Sequence, residues 1–217
     1  LDISNKEVEE ILETQKENIL ILDAREDLEY LIWNIHWSTH VRFADIKNGG
    51  WDLLPKDKHI IVACWSGMRG KEITLELRKH GLQAQYFENG VDGWVSSGGI
   101  WQGEIKFSHF YKNPNYSLTF STQEFQKKNK KWVIIIDTRT KQSYDTSHFE
   151  NSIQVSTIET PQSELESLYE KVGSGKTFIV VCDGYINCFD AKLTGITLEK
   201  RWNIFLWRYT TPWELLQ

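Results

Sequence analysis

A chain of 217 residues with a formal net charge of −5 has room for one large domain or two small ones. Its acidic balance, with no Lys/Arg stripe to meet phosphates, argues against a dedicated nucleic-acid surface. No apolar run approaches the roughly 20 residues of a membrane span.

Taken in chain order, Ser4 and Glu7 have capping-box spacing ahead of an apolar-periodic helix. A short apolar strand follows and ends in Asp23-Ala24-Arg25. After a variable stretch, Ile60-Ile61-Val62-Ala63 forms a second apolar strand that ends at Cys64, and Lys71–Lys79 reads as a helix stopped by Gly81 at its C′ position. The same series then returns. Ser121 and Glu124 repeat the capping spacing, and Asn18–Arg25 is echoed by Trp132–Arg139. Tyr30 matches Tyr144, Asn34 matches His148, Ser38 matches Ser152, and Ile61–Cys64 matches Ile179–Cys182. Continuous apolar strands alternating with helices imply mainly parallel sheets with helices on both faces, an α/β fold. Residues 102–120, which contain Pro114 and lack periodicity, are the expected linker between domains at 1–101 and 121–217.

Cys64 closes a strand, and the loop Cys64-Trp65-Ser66-Gly67-Met68-Arg69-Gly70 leads into a helix. Ligands of open α/β sheets bind at this end of the strands. Gly67 and Gly70 let the loop curl so that successive backbone N–H groups converge on one point. The helix N-terminus and the guanidinium of Arg69 add positive potential, and all three favour sulfur as the nucleophilic thiolate.

These residues resemble the active-site loop of the rhodanese (thiosulfate sulfurtransferase) superfamily in Cys64-x-x-Gly67-x-Arg69. Asp23-Ala24-Arg25 resembles its Asp-x-Arg, and Tyr86–Trp94 resembles its strand, glycine turn and tryptophan-bearing helix. The resemblance implies two rhodanese-like domains in tandem. It also implies a sulfurtransferase without metal or organic cofactor. Cys64 would carry a persulfide, while Arg69 and the loop of Trp65, Ser66, Gly67, Met68 and Gly70 hold the substrate. The partners implied are a small-molecule or protein sulfur donor and acceptor. Four residues separate Cys64 from Arg69, which resembles sulfurtransferase loops rather than the five-residue spacing of related dual-specificity phosphatases. One departure is Trp33-Asn34-Ile35-His36-Trp37-Ser38, where family members often carry Gly-His-Ile-Pro-Gly-Ala. Trp33, Trp37 and Trp51 are expected to pack in or over the core, and Trp65 to face substrate or solvent.

In the second half Cys182 takes the nucleophile position, but Asn187 stands where the arginine belongs and Asp183 places a negative charge beside the sulfur. This domain is expected to be inactive or weak, with Cys182 and Cys188 as structural residues. Five residues separate these two cysteines, and the six histidines show no metal-ligand spacing, so neither a disulfide scaffold nor a metal site is expected. A non-catalytic binding or sensing module is the rival from another class, and a Cys-based phosphatase is a third. A free nucleophilic thiol suits a reducing cytoplasm, while the start at Leu1 leaves an exported origin open.

Overall fold

The computed structural model describes residues 1–103, 119–120, 122–182 and 189–209, and it divides into compact units Leu1–Ile105 and Lys106–Gln217. In the first unit the strands are β1 (Asp2–Ile3), β2 (Ile19–Asp23), β4 (Thr39–His40), β5 (His59–Ala63) and β6 (Ala84–Phe87). They form a parallel sheet in the order β1-β6-β5-β2-β4. The helices are α1 (Asn5–Gln15), α2 (Asp27–Ile32), α3 (Phe43–Lys47), α4 (Met68–Lys79) and α5 (Gly90–Ser96). Strand β5 is buried on both faces because its residues alternate between two layers of packing. Ile60 and Val62 join Leu22, Ile73 and Leu77 in one cluster, while Ile61 and Ala63 are buried on the other side.

The second unit repeats this plan with β8 (Thr119–Phe120), β9 (Val133–Asp137), β10 (Ile153–Gln154), β11 (Thr177–Val181) and β12 (Ile204–Tyr209). Their order, β10-β9-β11-β12-β8, is the first unit's order strand for strand, again parallel throughout. Its helices are α6 (Thr122–Lys128), α7 (Lys141–Thr146), α8 (Gln162–Val172) and α9 (Phe189–Lys200). Gly195, an unfavourable helix residue by propensity, lies inside α9 because the Phe205 ring comes so close that a Cβ there would stand 2.4 Å from it.

The repeat carries structural work in both units. Asp23 and Arg25 form a fully buried ion pair at 2.7 Å, and the guanidinium also donates to the Trp33 carbonyl at 2.8 Å. Asp137 and Arg139 pair identically at 2.7 Å, reaching the Ser147 carbonyl at 2.6 Å. The matched tyrosines are staples: Tyr30 Oη donates to the Ser38 carbonyl and Tyr144 Oη to that of Ser152. The Ser4–Glu7 capping box is formed, whereas its counterpart at Ser121 lies outside the described residues.

Both ends of the segment read as a linker are strand. Gln102 and Gly103 belong to β7 (Trp101–Gly103), which pairs antiparallel with β3 (Trp33–Ile35), and Thr119–Phe120 pairs with β12. Strands of two or three residues are too short to leave a periodic signal. Among the described residues no helix is long and apolar enough to cross a membrane.

Replacing Asp23 with Ala strands a buried guanidinium. Denaturant titration is expected to show a loss of about 3–5 kcal/mol from the unit that contains it.

Candidate active site

Strand β5 ends one residue before Cys64, whose free thiol is 1 % exposed. The chain then turns through Gly67, at φ 92°, into α4. Two backbone groups converge on the sulfur: the Gly67 N–H donates to Cys64 Sγ at 3.2 Å and the Gly70 N–H at 3.1 Å. The two glycine amides thus converge on one point, as their spacing implied. A third glycine locks it. The Val91 N–H donates to the Cys64 carbonyl at 2.8 Å, and a Cβ on Gly90 would stand 2.4 Å from that oxygen. The start of α5 therefore seats directly on the cysteine loop.

Trp65 is half-buried and meets buried Trp33 edge-on at 6.1 Å, while Ser66 and Met68 are exposed. The expectation that Trp37 packs in or over the core is corrected. It is 49 % exposed, lies in the left-handed region at φ 67°, and has Lys16 Nζ 3.6 Å from its ring centre. The equivalent residue of the second unit is Asn151 at φ 61°, so the bend is a requirement of the fold that the side chain must tolerate.

Arg69 belongs to a buried row of charges. Its guanidinium meets both carboxylate oxygens of Glu29 at 3.2 Å and stands 3.8 Å from Glu26 Oε1. Glu26 Oε2 in turn accepts from Arg42 Nε at 2.7 Å. Glu26 and Glu29 are each 4 % exposed and Arg42 is 2 % exposed. Burial pushes Arg69 down, but Glu29 and Glu26 outweigh it and hold the guanidinium above its ordinary value. For Glu26 burial dominates over the attraction of Arg42 and Arg69, and its carboxyl is pushed up to about 8. Of this row, sequence reasoning found Arg69 alone. A comparison of charges between the matched halves would have exposed the others.

In the second unit Cys182 sits at the end of β11 as Cys64 does at the end of β5, but it is disulfide-bonded. It is the buried core residue at a strand end that was expected, with a disulfide that the cysteine spacing did not suggest. Asp183, Asn187 and Cys188 lie outside the described residues. Among the described residues no group of three or more His, Cys, Asp and Glu side chains is placed to hold a metal.

The comparisons with known proteins accord with this architecture. The model of the rhodanese-like domain family matches residues 4–97 and 121–203. The chain belongs to that family, with two such domains in tandem. Among particular proteins, it is 31 % identical over 93 residues to YtwF of Bacillus subtilis (strain 168), provisionally named a sulfurtransferase, covering 43 % of this chain and 88 % of that one. Solved structures similar to it include a rhodanese-related protein of Thermoplasma volcanium (24 % identity, TM-score 0.43, 48 % of this chain and 98 % of that one). Another is the rhodanese-like domain of Alr3790 from Anabaena (21 % identity, TM-score 0.44, 48 % and 80 %). Family and relative together support a sulfurtransferase-type function.

Two outcomes follow from this geometry. Gly67→Ala would place a Cβ 2.6 Å from the Glu88 carbonyl at a left-handed φ. It is expected to slow alkylation of Cys64 by iodoacetamide at least roughly tenfold, since a hydrogen bond to an ionised group contributes about 1.5–3 kcal/mol. Glu26 also sets a trend in stability. Between its ordinary 4.5 and about 8 the folded protein keeps a proton that the unfolded chain has released. Its contribution is whole below the lower value and lost as pH rises through the upper. The Glu26 contribution is therefore expected to lower the thermal midpoint progressively as pH rises from about 5 to about 8, and Glu26→Gln to flatten that fall.

Proposed function

We propose that this protein moves a sulfane sulfur from a donor such as thiosulfate or a persulfide, through a persulfide on Cys64, to a thiophilic acceptor. The carrying observation is the pair of N–H groups, from Gly67 and Gly70, aimed at the buried sulfur of Cys64. Such a cradle stabilises the thiolate before the reaction and the terminal persulfide anion after it.

With thiosulfate as donor, the Cys64 thiolate attacks the outer sulfur. A new S–S bond forms, the bond from that sulfur to the sulfonate breaks, and sulfite leaves with the electron pair. In the second half an acceptor thiolate or cyanide attacks the terminal sulfur and Cys64 departs as thiolate. Neither half needs a metal, an organic cofactor or an external oxidant. Trp65, Ser66 and Met68 form the loop surface the substrate would meet. Arg69 would contribute mainly through its field, because its guanidinium is engaged by Glu29. The four residues between Cys64 and Arg69 favour sulfur over a phosphate ester. A binding role is the second reading for the second domain, whose Cys182 is disulfide-bonded and so holds no thiolate to receive sulfur.

Intact-mass spectrometry after brief exposure to thiosulfate tests the proposal on wild type, Cys64→Ala and Cys182→Ala. The expected result is a gain of one sulfur on wild type and Cys182→Ala, absent from Cys64→Ala. No adduct on any of the three would remove thiosulfate as donor. An adduct lost only with Cys182→Ala would move the chemistry to the other domain.

A further inference from the structure

The charges around Arg69 exceed what the fold requires. They form an alternating row, Arg42, Glu26, Arg69, Glu29, of which Arg69 is partly exposed and the other three are buried, and removing these charges from water carries a substantial solvation cost. The second unit folds on the same strand order without them. Strand register sets Ile153 opposite Ile136 as it sets Thr39 opposite Leu22, so Thr140, Ser143 and Ser156 are the counterparts of Glu26, Glu29 and Arg42. Counting back from the left-handed residues that follow each helix, Gly81 and Trp202, Asp190 is the counterpart of Arg69; this corrects the assignment of Asn187, which counted forward from the cysteine and lies outside the described residues. Asp190 instead accepts from the Thr157 N–H at 3.2 Å. All four positions differ, although the Asp-x-Arg ion pair is kept in both units. The unit with the row has the free thiol, and the unit without it has the disulfide-bonded Cys182.

Members of the row are unequally held. Glu29 grips Arg69 with both oxygens, and Glu26 gives Oε2 to Arg42. Glu26 Oε1 is buried and makes no hydrogen bond, 3.8 Å from Arg69 Nη1. We propose that Glu26 is a positioning residue for the Cys64 site, which by holding or releasing a proton at Oε1 switches the row between a net positive and a balanced charge. This rests on reading Cys64 as the reacting sulfur.

The groups that face Glu26 are Arg42 with Asp45 from the start of α3, Arg69 from α4, and Glu29 from its own helix; Asp27 acts on Arg42 and lies near His40. Burial dominates over this surrounding charge, and the carboxyl is pushed up to about 8. Below that value the cluster carries one negative charge fewer than above it, the Asp45 carboxylate beside Arg42 being common to both states, and so favours anions at the sulfur more strongly. Above it, reaction with anionic partners should fall, opposite in sense to the gain from thiolate formation.

The ratio of two alkylation rates isolates this effect. Iodoacetate is an anion and iodoacetamide is neutral; both consume the thiolate, so their rate ratio at Cys64 cancels the thiolate fraction and reports the local charge. In the wild-type chain the ratio is expected to fall about threefold or more from about pH 6.5 to about pH 9.5. In Glu26→Gln it should stay level near the wild-type low-pH value. A level ratio in wild type, or an equal fall in both proteins, would overturn the proposal. Should the variant fail to fold or the reagents fail to reach the sulfur, carbon-13 titration of the wild-type glutamate carboxyls decides. A Glu26 signal moving near pH 8 supports the switch, and one moving near its ordinary value of 4.5 overturns it. Neither alkylating reagent donates sulfur. A pH-dependent ratio without persulfide formation from thiosulfate would therefore remove thiosulfate as donor and leave the switch standing.

Discussion

Two backbone N–H groups directed at one buried sulfur constrain much of the first domain. For the Gly67 and Gly70 amides to reach Cys64 Sγ, the chain must turn through a left-handed residue within three positions of Cys64. Gly67 meets that need because it has no Cβ to strike the Glu88 carbonyl. Residues Glu88 to Gly90 must pass just as closely, which is why Gly90 sits against the Cys64 carbonyl. The parallel sheet supplies the rest, since β5 and β6 end side by side and deliver both loops to one edge.

The two domains form a natural comparison in which the fold is held constant. Strand order, the buried Asp-x-Arg pair and the tyrosine staple recur in both. Features shared by both domains are accounted for by folding alone. Features confined to the domain with the free thiol require another explanation, and the charge row is the clearest of them. A buried ionic row is weak evidence for stability, because desolvation offsets most of the Coulombic gain. Its restriction to one unit points to electrostatic work at the sulfur.

Much of the fold was legible in the sequence because its strands are continuous apolar runs and because each was written twice. Val133–Asp137 and Thr177–Val181 stand out as buried strands by composition alone, and Gly81 terminates α4 at the expected position with φ 79°. The loop around Cys64 was legible for the same reason, since glycine spacing dictates where amides can converge. Short pairings such as β3 with β7 were not, because two or three residues carry no period. The exposure of Trp37 was also hidden. Hydrophobicity argues for burial, but the left-handed bend there aims the ring outward over Lys16.

Reading residues one at a time also hid the partners of Arg69. Glu26, Glu29 and Arg42 look like ordinary surface charges on short helices, and nothing local marks them as buried. What places them inside is the sheet edge: α2 follows β2, α3 follows β4 and α4 follows β5, so three helix N-termini meet where parallel strands end. Carboxylates are favoured there by the helix dipoles, and an arginine that joins them is drawn into the same pocket. Arg69 then reaches the sulfur only as a field already divided between two carboxylates. If Cys64 carries the transferred sulfur as proposed, the anionic charge that develops there would be met chiefly by backbone amides, which cannot titrate, with the side chains supplying an adjustable background. Such a division of labour would give the site a fixed geometry with a variable charge, and would make a residue that never touches substrate a determinant of which substrates react.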